Sequence, residues 1–125
     1  YKYVENAYLT GDEIVAAYRR SNICLNIHTE NATSLNPRSY EIMATKSFEL
    51  VDARKNYDEF IEGKDLICFN DCDEMIKLIK YYLFNKEQLR CIADNGYKKV
   101  KKNRKMVDSL SFVLRNFIKR RLDEI

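Results

Sequence analysis

Apolar residues along the chain follow two spacings that alternate. Residues 23–27 (ICLNI) form a nearly continuous apolar run broken only by Asn26, which suits a strand covered on both faces, as in parallel sheets. Residues 48–51 (FELV) and 66–69 (LICF) are two more short runs of this kind. Elsewhere apolar residues recur three and four apart, the helical spacing. Ile14, Ala17 and Tyr18 share a face over 11–20, and Tyr40, Ile42, Met43 and Ala44 continue a helix from 37 to 46. Met75, Leu78, Ile79, Tyr82 and Leu83 point inward from the next helix, and Leu89, Ile92, Ala93 and Tyr97 from the one after it. Met106, Leu110, Val113, Leu114, Phe117 and Ile118 mark a last helix over 106–122, within a C-terminal segment 103–125. A weak alternation over 2–9 predicts a short strand or the end of one, and 56–61 (NYDEFI) a helical turn.

Polar residues punctuate these runs. Thr10-Gly11-Asp12-Glu13 has the form of a capping box, and Ser21-Asn22 closes the helix it opens. Asn36 is a good N-cap with Pro37 at the first helical position, where its missing N–H costs nothing. Asp71 with Glu74, and Asn85 with Gln88, cap the next two helices. Strands alternating with helices predict an α/β fold, a Rossmann-like parallel sheet of three or four strands with helices on both faces. The last three helices come without intervening strands and form a C-terminal helical cluster. That asymmetry suggests the C-terminal end of a doubly wound domain whose opening units lie elsewhere.

Composition narrows the class. The 125 residues suit one domain, and 46% hydrophobic with 33% charged residues excludes a disordered chain. No apolar run approaches the roughly 20 residues of a membrane span. The opening YKYVENAYLT lacks a signal-peptide core, so a cytoplasmic location is expected. Cys24, Cys68, Cys72 and Cys91 form no CxxC pair and no zinc spacing; Cys24, Cys68 and Cys91 sit in apolar segments as structural thiols. A net charge of +3 is too small to imply a nucleic-acid partner. The basic run 98–105 (KKVKKNRK) reads as the solvated end of one helix and the start of another.

The chemistry concentrates between the first two strands. Ligands of open parallel sheets sit outside the carboxyl ends of the strands, which places the loop 28–36 in such a crevice. The helix starting at Asn36 points its free amides and positive dipole end there, a setting suited to phosphate. Arg38 could clasp phosphate with two parallel bonds. Glu41, one turn on, shares its side and is suited to the paired hydroxyls of a ribose. The plainer alternative is that Arg38 and Glu41 pair with each other on a surface helix. His28, the sole histidine, ends the first strand with no carboxylate partner evident from the sequence.

The run 26–83 resembles the C-terminal part of group-1 glycosyltransferases, and within them the CgeB-like spore-maturation-protein subgroup. The matching residues are Asn36, Pro37, Arg38, Tyr40 and Glu41, then Glu62-Gly63-Lys64-Asp65, Phe69-Asn70-Asp71 and an Asn95-Gly96-Tyr97 turn. The likeness spans roughly residues 9 to 100. It implies a GT-B fold of two Rossmann-like lobes, in which this chain is part of the donor lobe. The implied reaction moves a sugar from a nucleotide-diphosphate sugar to an acceptor, such as a cell-surface glycan, with no metal or other cofactor. Two glutamates seven residues apart work here in many members. The second resembles Glu41, on the ribose; the first falls at Thr33. His28 and Thr33 would then approach the sugar, and Ser34, Asn36, Arg38 and Glu41 would hold diphosphate and ribose. The acceptor side implies an N-terminal lobe as partner, oligomers could form through the C-terminal helix, and the chain alone is expected not to turn over. The alternative is a non-catalytic Rossmann-like interaction module whose 110–118 stripe packs on a partner.

Overall fold

Three short parallel strands, β1 (Cys24–Asn26), β2 (Glu49–Asp52) and β3 (Ile67–Phe69), pair in the order β1-β2-β3. They belong to a computed structural model that describes residues 9, 11–29, 31–102 and 122–123. Helices α1 (Asp12–Arg20), α2 (Pro37–Ala44), α3 (Cys72–Phe84) and α4 (Lys86–Lys102) complete the α/β arrangement. Registers run Leu25 beside Leu50 and Val51 beside Cys68.

Because strand side chains alternate, β2 feeds two cores. Leu50 faces one side with Phe48, Ile67, Phe69 and Tyr82, where Met75, Leu78 and Ile79 of α3 and Ile92 of α4 close over it. Val51 faces the other with Leu35, Met43, Phe60 and Leu66, covered by Tyr40 of α2 and Val100 of α4. Helices therefore lie on both faces of the sheet, and α4 contributes to both cores. Burying each such aliphatic or aromatic side chain is worth roughly 1.5–3 kcal/mol.

The helix starts follow local chemistry. The Asn36 side chain accepts from the Ser39 amide and opens α2, with Pro37 in the first turn. Asp71 accepts from the Glu74 amide at 2.8 Å, and Glu74 takes the Asn70 amide. At the end of α2, Ser47 N donates to Ile42 O and Lys46 N to Met43 O, with Lys46 left-handed at φ 61. Glycine is usual there. Lys46 instead sends its amine 3.2 Å from Asp94 and over the ring of Tyr97, joining α2 to α4.

Several expectations change. The Asn95-Gly96-Tyr97 segment is not a turn but mid-helix in α4. Gly96 serves close packing: a Cβ there would lie 2.9 Å from Asp65 O and 3.0 Å from Met43 Cγ. Leu83 is exposed rather than inward. Asn85 closes α3 by donating to Tyr81 O, and Gln88 takes the Tyr81 hydroxyl instead of capping α4. Residues 56–61 hold the expected turn, with Phe60 N donating to Tyr57 O, but it is not helical, because Asp58 is left-handed at φ 54. Cys91 is exposed, and only Cys24 of the four free cysteines is fully buried. Burial pushes the Cys24 thiol up to about 11. The 23–27 run is not covered on both faces throughout: Ile23 packs on the core with Leu50, but Leu25 and Ile27 are 43% and 59% exposed. The helix on that side, α3, meets the sheet chiefly at β3, its far edge. Helix α1 begins after Gly11 with no side-chain cap, and Thr10 lies outside the described residues. So do 2–8, and 106–121 of the last expected helix. No helix of the described residues is long and apolar enough to cross a membrane.

Candidate functional site

At the carboxyl end of β1 the chain turns into the loop that precedes α2, and this loop is pinned from three directions. Leu35 is buried in the core beside Met43 and Val51. The Thr33 carbonyl accepts from the amides of Lys55 and Asn56 at 3.1 and 3.0 Å. His28 forms the third anchor, and it has a carboxylate partner that the sequence did not reveal. Its Nδ1 lies 2.8 Å from Asp52 Oδ1, and its Nε2 accepts from the Asn36 amide at 2.9 Å. The His28 side chain is 1% exposed, so both ring nitrogens are engaged inside the protein. Asp52 in turn receives Arg54 Nη2 at 2.6 Å.

Beneath the first turn of α2 lies a buried polar cluster. Asn26 Nδ2 lies within 3.0 Å of Asn36 Oδ1, Ser39 Oγ and Glu49 Oε1, its two hydrogens shared among them, and Ser39 Oγ donates to Glu49 Oε1 at 2.6 Å. Asn36 returns a bond to Asn26 Oδ1. Glu49 is 1% exposed, and its Oε2 has no partner among the described residues. Burial raises the pKa of its carboxyl, opposed by the Ser39 and Asn26 bonds. These residues fasten the start of α2 to the sheet.

That fastening uses some of the amides expected to face an anion. Asn36 N serves His28, Pro37 has none, and Ser39 N is capped by Asn36. Among the described residues, the amides of Ser34, Leu35 and Arg38 have no partner. The side chains of Thr33, Ser34, Arg38 and Glu41 are exposed around them. Arg38 and Glu41 do not pair with each other among the described residues, so the plain surface ion pair is not formed. Glu41 Oε2 instead accepts from the Tyr18 hydroxyl of α1 at 3.4 Å. Burial raises the Tyr18 pKa; Glu41 raises it further and Arg38 lowers it, which places both charges near one phenol. Beside them, Ile14, Val15, Tyr18, Glu41 and Thr45 line a groove of about 380 Å³ between α1 and α2.

The structure thus brings Thr33, Ser34, Arg38 and Glu41 to the surface of one loop-helix unit and holds His28 and Asn36 within it. Sequence reasoning missed Asp52, Arg54, Ser39 and Glu49. Two signals pointed toward them: a polar Asn26 inside an apolar strand, and an acidic residue ending the adjacent strand. No group of three metal-ligating side chains is arranged to hold an ion among the described residues.

A family model described as glycosyl transferase-like matches residues 1–114, a span that includes the whole loop and α2. No curated protein matches the chain. No solved structure matches it either.

Proposed function

The chain belongs to the glycosyl transferase-like family, and on that premise we propose that it is the donor-binding part of a GT-B, group-1 enzyme of the CgeB-like kind. It holds a nucleotide-diphosphate sugar whose sugar passes to a glycan or similar acceptor. The amides of Ser34, Leu35 and Arg38, with the Arg38 guanidinium, take the diphosphate. Glu41 accepts the ribose hydroxyls, and the adjoining groove receives the nucleoside. Thr33 and Ser34 stand at the sugar. His28, with both nitrogens occupied, shapes the loop instead of moving a proton. Catalysis is then largely electrostatic: fixed donors stabilise the diphosphate as it leaves and the acceptor attacks.

The observation that carries this is the placement of exposed Arg38 and, one turn on, exposed Glu41, at the start of the helix that follows the carboxyl end of β1. Calorimetric titration with UDP, GDP and their sugar conjugates tests it. Binding by the wild-type chain, lost in Arg38→Ala and Glu41→Ala, is the expected result. Affinity unchanged in both variants would overturn the assignment, and no binding to any nucleotide would favour a non-catalytic module.

A further inference from the structure

We propose that Asp52 and Arg54 are positioning residues for donor binding: together they hold residues 31–36 in the shape that presents the Ser34, Leu35 and Arg38 amides. This rests on the donor-binding assignment above. Arg54 follows β2, and its side chain is 11% exposed. Its planar fork reaches two segments at once. Nη2 donates to Asp52 Oδ2 at 2.6 Å and Nε to the Asp52 carbonyl at 3.3 Å, while Nη1 donates to the Ala32 carbonyl at 2.5 Å. Asp52 uses its other oxygen for His28, taking the backbone N–H at 3.0 Å and the ring Nδ1 at 2.8 Å. The ring passes the constraint to the Asn36 amide at 2.9 Å. The end of β2 is therefore bonded to both ends of the loop segment, at Ala32 and at Asn36. The bonds from Lys55 and Asn56 to the Thr33 carbonyl fix the middle.

An isolated structural ion pair would need neither the Ala32 bond nor the bond through the ring. Asp52 and Arg54 cancel in charge, so the clamp shapes the loop without presenting a net charge to a phosphate. A loop held in its binding shape before the ligand arrives loses less freedom on binding, and the difference appears as affinity. Lysine cannot reproduce this, because a single ammonium lacks the fork that spans Asp52 and Ala32.

The test uses the full chain, ¹⁵N-labelled, as wild type, Arg54→Gln, Arg54→Lys and Asp52→Asn. Ring nitrogen shifts of His28, amide exchange over 31–36 and affinity for UDP and GDP are measured, with circular dichroism confirming the fold. Wild type should show a single Nδ1–H tautomer. Asp52→Asn should mix the tautomers, and Arg54→Gln should speed exchange over 31–36 and weaken nucleotide binding about tenfold. Arg54→Lys, which keeps the charge, should retain the tautomer yet leave the Ala32 side loose. Unchanged exchange and an unchanged ring in Arg54→Gln would overturn the clamp. Faster exchange with unchanged nucleotide affinity would overturn its role in binding. Wild type that binds neither nucleotide sinks the donor assignment itself, and the ring and exchange data then decide the clamp alone.

Discussion

The Asn36 amide donates to Nε2 of His28 at 2.9 Å, and that bond together with the Asp52 carboxylate on the far side of the ring determines which nitrogen carries the proton. Nε2 must offer a lone pair, so the proton sits on Nδ1 and points to Asp52 Oδ1 at 2.8 Å. The ring is a bridge between a strand end and a helix start, 24 residues from its carboxylate and 8 from its amide.

Removing the bridge leaves the Asn36 amide without its acceptor and takes one donor from Asp52, which keeps Arg54 and the residue-28 amide. His28→Ala should cost about 1–3 kcal/mol in urea unfolding. A loss under about 0.5 kcal/mol would show that water replaces the ring freely.

Glu49 gives a pH dependence with a definite sign. Its folded pKa is raised by burial above the ordinary glutamate value of 4.5. As pH climbs past that value the unfolded chain gives up a proton that the folded chain keeps, so this contribution to stability falls with rising pH; below it the contribution is fully present. Glu49→Gln removes the ionisation and keeps an oxygen for Asn26 and Ser39. The variant should therefore gain on wild type as pH rises above the ordinary glutamate value, read in urea midpoints. A gain toward acid instead would contradict a carboxyl whose pKa burial raises.

Gly96→Ala sets helix propensity against space. Alanine favours a helix by about 1 kcal/mol over glycine. Here the new methyl meets a backbone carbonyl, Asp65 O, at 2.9 Å, which cannot swing aside as a side chain could. A net loss of about 1–2 kcal/mol is expected, read as a lower thermal midpoint. A stabilised variant would mean that α4 shifts away from the turn at Asp65 without penalty.

Lys99 and Asp65 are joined at 2.7 Å but are unequally buried, the lysine side chain 30% exposed and the aspartate 3%. Asp65 also takes the Ile61 amide. Lys99→Ala strands a buried charge and should cost about 2–3 kcal/mol. Adding Asp65→Asn removes that charge, so the double variant should be less destabilised than the two single losses summed, by about 1 kcal/mol or more. Strict additivity would show an ion pair that contributes nothing.

Much of the fold was legible. Apolar runs placed the three strands, and Asn36-Pro37 and Asp71 placed the starts of α2 and α3, because caps and strand runs depend on neighbours in sequence. Gly96 misled for the opposite reason: a glycine that looks like a turn is kept by Met43 and Asp65, residues outside its own helix. Leu83 misled because helical spacing shows a face but not whether anything covers it. On α2, the shared exposure of Arg38 and Glu41 was legible from spacing, and the glycosyl transferase-like family from the motif around them. The clamp was not. Asp52 and Arg54 read as an ordinary strand end, and only folding brings them to Ala32 and His28.

Helix α4 lends Ile92 to one core and Val100 to the other. Losing α4 would therefore open both cores at once, since one helix serves both. The loop before α2 is tied to the same helix through Leu35, which shares a core with Val100: a change that frays α4 there reaches the Ser34, Leu35 and Arg38 amides without touching them.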